Sequence, residues 1–235
     1  MHAFDAGGRP AWRSWIEHHA ATFCAVADVD GDGHPEIVVG NEYHTPINLF
    51  GPDGVLRWSS RSSAAGTPRA RSGVHATALA LGDVDGDGRP EIVYGTLDNL
   101  VCAAGADGSL LWSADVGGEV AGLAYDGAPD PAIYALSAYG DLFRLDGSGQ
   151  RIWRRHVGDE ATRLALGRGP GGVPVAVVGT AGGRVLLYGA GGERLARVTL
   201  GDAPVTHLVS APAGASASIL YAASGSALAA ITLAT

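Results

Sequence analysis

One nonapeptide occurs twice in this 235-residue chain, Asp28-Val29-Asp30-Gly31-Asp32-Gly33-His34-Pro35-Glu36 and Asp83-Val84-Asp85-Gly86-Asp87-Gly88-Arg89-Pro90-Glu91. Nothing else in the sequence restricts the fold as tightly. Carboxylates at positions 1, 3, 5 and 9, with glycines that let so short a loop curl, make an oxygen-lined cage suited to a hard divalent cation such as calcium. Without a cation the crowded carboxylates repel one another, so two bare acidic surface turns are the weaker reading. An EF-hand opens with the same Asp-x-Asp-x-Asp-Gly but needs a bidentate Glu at position 12 and a helix on either side; here that position holds Val39 or Tyr94. Apolar and β-branched runs flank the cage instead, Ala21 to Ala27 before the first loop and Ile37 to Val39 after it, so each loop joins two strands.

A second unit recurs at wider spacing: a strand end, an Asp/Gly turn and a short strand closing on Trp. It runs from Phe4 to Trp12, from Phe50 to Trp58, from Gly105 to Trp112 and from Leu145 to Trp153, with a worn copy from Gly189 to Leu195. Asp-Gly and Gly-Gly between apolar runs signal hairpins, because the tight turn needs positive φ. Successive copies lie about 41 to 54 residues apart, the length of one four-stranded propeller blade. Each unit also carries an inner apolar strand (Thr22 to Val26, Thr77 to Leu81, Val120 to Tyr125, Thr162 to Leu166, Val205 to Val209). A second strand in each ends in Gly or Ser (Ile37 to Gly40, Ile92 to Gly95, Ala132 to Ser137, Val175 to Gly179, Ile219 to Ser224).

The expected fold is therefore all-β, a five-bladed β-propeller in a single domain spanning residues 1–235, with blades at about 13–58, 59–112, 113–153, 154–196 and 197–235. The C-terminal piece lacks the turn and Trp strand that the N-terminus supplies, so residues 1–12 are expected to complete the last blade and remove its free edge. Trp12, Trp15, Ile16, His19, Ala20 and Phe23 share helical spacing, but the equivalent stretch after Trp58, with Gly66, Pro68 and Gly73, is incompatible with a helix. A repeat keeps its structure, and the strand reading is preferred.

Composition narrows the class of function. Charged residues make up 17% and hydrophobic ones 46%, with 36 glycines, which suits a compact, turn-rich protein. The formal charge of −8 opposes general nucleic-acid binding. Arg57, Arg61, Arg69 and Arg71 gather without interleaved aromatics and read as a solvated loop. No run approaches the length of a membrane-spanning helix, and the start, Met-His-Ala-Phe-Asp, has no leader pattern. As written the chain is expected in the cytoplasm, or secreted if it is a trimmed mature form, as a monomer with no nucleic-acid or membrane partner. Cys24 and Cys102 fall inside expected strands and are expected to be buried free thiols.

Asp-Val-Asp-Gly-Asp-Gly-x-Pro-Glu-Ile-Val-x-Gly at blade spacing resembles the FG-GAP or VCBS-type repeat of calcium-binding β-propellers, the group that includes the integrin α-subunit head. The Asp-Gly…Trp pattern also looks like quinoprotein-type blades. The resemblance implies side-chain ligands at Asp28, Asp30, Asp32 and Glu36 with the His34 carbonyl, and at Asp83, Asp85, Asp87 and Glu91 with the Arg89 carbonyl, giving two calcium sites. Blades three to five lack the cage; Asp126 and Asp130 alone remain in the third.

The cages sit where first strand passes to second, so they brace strand connections, and the opposite face is the ligand candidate. There the blade alignment brings His75, Glu119 and Glu160 together just before the inner strands, with His18, His19 and Asp159 close by. Tyr43, His44, Asp98 and Tyr139 belong to neighbouring loops of that face. The plain reading is a wet polar rim; the functional readings are a site for a small molecule, glycan or protein partner, or a catalytic or transition-metal centre at His19, His75, Glu119 and Glu160. His207 reads as a hydrogen-bonded packing residue. No phosphate loop, nucleophile elbow or zinc-type Cys pair occurs.

Overall fold

The computed structural model describes residues 1–16, 21–41, 47–60, 75–127, 130–212 and 218–233. Apart from a single 3₁₀ turn at Pro170–Gly172, its regular elements are strands. A hairpin of β1 (His2–Phe4) and β2 (Pro10–Arg13) comes first. Four antiparallel sheets of four strands follow in series: β3 (Ala21–Ala27), β4 (Glu36–Asn41), β5 (Ile47–Phe50) and β6 (Leu56–Ser59); then β7 (Ala76–Gly82), β8 (Glu91–Thr96), β9 (Leu100–Ala104) and β10 (Leu110–Asp115). The third holds β11 (Val120–Asp126), β12 (Ala132–Ser137), β13 (Asp141–Asp146) and β14 (Arg151–His156), and the fourth β15 (Ala161–Arg168), β16 (Pro174–Thr180), β17 (Arg184–Gly189) and β18 (Arg194–Thr199). A last sheet has three strands, β19 (Val205–Pro212), β20 (Ser218–Ser224) and β21 (Ala227–Thr232).

The repeat seen in the sequence is repeated in the backbone. Each of the five hairpin turns closes on an i to i+3 bond and places its glycine in the left-handed region: Gly8, Gly54, Gly108, Gly149 and Gly192 have φ of 77°, 75°, 80°, 79° and 82°. Each inner strand of the five larger sheets carries a bulge at the same register, Ala21/Phe23, Ala76/Ala78, Val120/Gly122, Ala161/Arg163 and Val205/His207. Such a bulge sharpens strand twist, which suits sheets that stack as propeller blades.

Apolar side chains alternate across each sheet and meet those of the next. Four buried clusters among the described residues each straddle two successive sheets. Ile47 and Leu49 meet Ile92; Val93 and Val101 meet Ile133 and Phe143; Tyr134 and Leu142 meet Val178 and Leu186; Val177 and Leu187 meet Val205 and Leu220. An indole latch accompanies the first three joints. Trp58, Trp112 and Trp153 donate Nε1–H to the carbonyl of Ala106, Gly147 and Ala190, each in the next sheet's hairpin turn, at 2.7, 2.9 and 2.8 Å.

Two expectations are corrected. The N-terminal hairpin does not complete the last sheet: β1 pairs with β2, and among the described pairings β21 has β20 on one side and nothing on the other. β1 leads into its hairpin turn as the third strand of each four-stranded sheet does, and in the last sheet that place is already filled by β21. Trp12 donates to Pro52 O at 2.9 Å, as Trp58, Trp112 and Trp153 donate to the next sheet's turn, and Ser14 Oγ binds Gly54 O. Cys24 is exposed, not buried, while Cys102 is buried; both are free thiols. Cys24 occupies the register of Leu79, which packs between the first two sheets, but among the described residues no sheet covers the corresponding side of β3. The helical spacing from Pro10 onward yields strands β2 and β3, with residues 17–20 outside the described part.

Candidate functional site

Both acidic loops fold around their first carboxylate. Asp28 accepts the amides of Gly31 and Gly33 at 2.8 and 2.9 Å, and Asp83 accepts those of Gly86 and Gly88 at 2.6 and 2.9 Å. Asp30 and Asp85 accept the amides of Asp32 and Asp87, both at 3.1 Å. Asp32 and Asp87 accept those of His34 and Arg89 at 2.7 and 2.8 Å. The loop glycines Gly31, Gly33, Gly86 and Gly88 all have positive φ. Buried Glu36 and Glu91 reach back to the amides of Val29 and Val84 at 3.0 and 2.8 Å. Burial lifts the Glu91 carboxyl above its ordinary range.

Each amide uses one lone pair of a carboxylate that has several, so the loops keep oxygens free to face inward. Oxygens of Asp28, Asp30 and Asp32, and of Asp83, Asp85 and Glu91, lie within 4.8 Å of one another, a spacing that one cation spans. An all-oxygen, anionic donor set fits a hard divalent cation better than a transition metal. The two triads differ from each other. Glu36 stands outside the first and Asp87 outside the second, and Arg89 binds Asp87 through Nε at 2.9 Å and through Nη2.

At the other end of the same strands, one backbone bond recurs in three successive sheets. The amides of Leu97, Ala138 and Ala181 donate to the carbonyls of His75, Glu119 and Glu160 at 3.2, 2.8 and 2.9 Å, which places these three residues at one structural position as the alignment required. Glu119, Glu160 and Asp98 are exposed, Tyr139 is 72% exposed, and His75 is half-buried. Tyr139 lies against Gly118, beside Glu119, so close that a Cβ there would sit 2.6 Å from its ring. Asp159 is held by Arg184 and accepts the amide of Gly182 at 3.2 Å, and this pairing keeps its carboxyl at about 2. His18, His19, Tyr43 and His44 lie outside the described residues. Among those described, His75, Glu119 and Glu160 form no three-ligand metal group. His207 is exposed on β19 beside the Thr206 hydroxyl at 3.1 Å, not packed as expected.

Two features carried no sequence signal. Asp141 opens β13 and is gripped by Arg154 at 2.8 Å and His156 at 3.2 Å, both from β14, a cross-strand pairing that no linear spacing announces. A groove of about 580 Å³ runs beside the second acidic loop, between Asp85, Leu111, Trp112, Pro131 and Asp146. Its walls come from two sheets, and only the stacking of blades brings them together.

Comparison with known proteins gives the same two-part picture. The FG-GAP-like repeat family matches residues 21–94, which include both acidic loops, and the family described as outer membrane protein assembly factor BamB matches residues 82–235. Rhamnogalacturonan exolyase YesX of Bacillus subtilis is 32% identical over 152 residues, which is 58% of this chain and 23% of the exolyase. The chain thus spans about a quarter of that curated relative's length. Among solved structures, BBS1N in complex with ARL6DN is similar over 95% of this chain and 69% of its own, at 16% identity and a TM-score of 0.70. Saccharomyces cerevisiae Sqt1 is similar over 100% of this chain and 65% of its own, at 11% identity and a TM-score of 0.75. At such identities the likeness is one of fold.

Proposed function

We propose that this chain, which belongs to the repeat family described as outer membrane protein assembly factor BamB and carries FG-GAP-like repeats in its first part, is a rigid interaction module. The five larger sheets are its blades, calcium at the two acidic loops braces the first two, and the opposite end presents the His/Glu rim to a protein partner. Asp28, Asp30 and Asp32 would hold one ion and Asp83, Asp85 and Glu91 the other, each neutralising a set of carboxylates that otherwise repel.

The observation that supports a binding role is the recurrent bond at His75, Glu119 and Glu160. It sets His75, Glu119 and Glu160 at equivalent strand starts, so the backbone that carries them needs little ordering when a partner docks. A solved structure of similar fold is itself a protein complex, BBS1N with ARL6DN. Arrays of peptides and glycans probed with wild type and with a Glu119→Ala, Tyr139→Ala, Glu160→Ala triple variant test the assignment. Signal lost at unchanged melting temperature supports the rim as the site; identical array patterns would sink it.

Calcium bracing has its own test. An ion bound only by the folded state at a hundredfold excess over Kd stabilises by about 2.7 kcal/mol per site, or roughly 5–10 °C for a chain of this size. Chelation should lower the melting temperature by that order, and Asp30→Ala with Asp85→Ala should abolish the response. Melting that ignores both chelator and calcium contradicts it.

The resemblance to a rhamnogalacturonan exolyase favours a second reading, in which the rim or the groove acts on a polysaccharide. Incubation with rhamnogalacturonan, read as sugar released, decides it; no release by the wild type removes this reading.

A further inference from the structure

The two acidic loops are an internal experiment. Their nonapeptides agree at eight of nine positions and differ only where His34 stands in one and Arg89 in the other. Their backbones agree as well, bond for bond, through the Asp28 and Asp83 cradles. Yet the third aspartate does different work in each. Asp32 contributes an oxygen to the inward-facing triad, and only the His34 amide, not its ring, bonds to it among the described contacts. Asp87 is absent from the triad of its own loop, and its Oδ2 carries the fork of Arg89.

We propose that Arg89 is a built-in competitor for the cation of the second loop, holding Asp87 away from it so that the first loop fills at lower calcium than the second. This rests on the calcium reading above and adds to it a rank order and the residue that sets it. Three considerations converge. The Arg89 guanidinium sets two donors, Nε and Nη2, on Asp87 Oδ2, a charge-assisted pairing that makes it a better competitor than a lysine or a neutral imidazole would be. Its charge also lies beside Asp85 and Glu91, which reduces the attraction the loop exerts on a dication. Its stem is already positioned: a Cβ on Gly31 would meet Arg89 Cδ at 2.9 Å, so the stem passes the first loop while the guanidinium, half in solvent, stays on Asp87. A cation at the second loop that recruits Asp87, as the first loop offers Asp32, must therefore break an ion pair that the first loop does not have among the described contacts.

Calorimetric titration with calcium at pH 8, where a free imidazole is neutral, tests this on the whole chain. Asp85→Ala leaves the first loop to be read alone and Asp30→Ala leaves the second. The first loop should bind several-fold tighter, and the reciprocal exchange should carry the difference with it. Arg89→His in the Asp30→Ala chain tightens the second loop about fivefold, and His34→Arg in the Asp85→Ala chain weakens the first by a similar factor, as loss or gain of one exposed charge-assisted pair implies. Where a single-loop variant fails to fold, the wild type and Arg89→His alone suffice, the former giving a staggered and the latter a coincident two-site isotherm. Affinities that stay with the loop after the exchange overturn the role of Arg89 and leave calcium binding standing. Absence of any calcium heat in wild type overturns the calcium reading and this inference with it.

Discussion

At the end of the fourth sheet's inner strand, the carboxylate that opens each acidic loop gives way to a cation. The segment Ala-Leu-Gly-Asp83 of the second sheet returns in the fourth as Ala-Leu-Gly-Arg168, so an arginine stands where the cage began with a carboxylate. Its guanidinium turns to Asp126 of the third sheet, which is 1% exposed, while its amide donates to Ser218 Oγ of the last sheet at 2.9 Å. Asp126 had the look of a worn cage, because residues alone do not show which blade supplies a partner. Arg168→Met should leave that carboxylate buried and bare, at a cost of about 2–3 kcal/mol, somewhat below a fully buried pair because the guanidinium is partly in water. Adding Asp126→Asn should recover most of the loss in a denaturant melt; equal instability of single and double variants would show the pair to be incidental. The Arg184–Asp159 pair adds a dependence on pH. Its folded carboxyl, at about 2, lies below the unfolded value of 3.8, so the stabilisation is present above pH 4 and disappears as pH falls toward 2. Asp159→Asn should therefore lower stability at pH 6, by on the order of 1–2 kcal/mol, and flatten the acid limb of the stability curve. A variant that follows the wild-type curve between pH 4 and 2 would refute this.

Between elements, what joins one sheet to the next decides which part opens first. Three joints carry both an apolar cluster and an indole latch, whereas the outer strand of the fourth sheet, β18, has the exposed Ala196 at the register where the others have Trp. The sequence announced this, since the fifth copy of the turn unit ends without its indole. What it could not announce is that the latch works forward, from each outer strand to the next turn, because a carbonyl acceptor has no side-chain signature. Trp153→Phe keeps the ring and deletes one buried donor, and should cost about 1 kcal/mol plus the penalty of a bare Ala190 carbonyl. The unlatched joint makes β19 to β21 the least protected unit. In hydrogen exchange read by mass, amides of β20 and β21 should exchange well before those of β12 and β13; simultaneous exchange of all sheets would contradict the ranking.

Across the whole molecule, successive inner strands pack on one another from β3 through β7, β11 and β15 to β19, but no comparable packing joins β19 back to β3 among the described residues. Among the described residues the series of sheets thus shows two faces that no other sheet covers. On the leading face Val26 is 60% exposed, although Leu81, Tyr125 and Leu166 at the same register pack against the preceding sheet. On the trailing face Val209, Tyr221 and Leu228 are 58%, 43% and 77% exposed, and neighbouring β21 has a free edge. Ring closure was the natural expectation from matching halves at the two termini, but halves match in any repeat, and only the strand pairing shows that β21 already fills the third place that β1 would take. An apolar sheet face beside an unpaired edge is the arrangement most prone to intermolecular β-pairing. Tyr221→Lys with Leu228→Lys changes only side chains that face away from the buried Leu220 and Ala222. These changes should leave the melting midpoint within about 0.5 kcal/mol of wild type while suppressing light scattering on heating. If scattering is undiminished, some other face drives association; if the midpoint collapses, the trailing face is covered in solution.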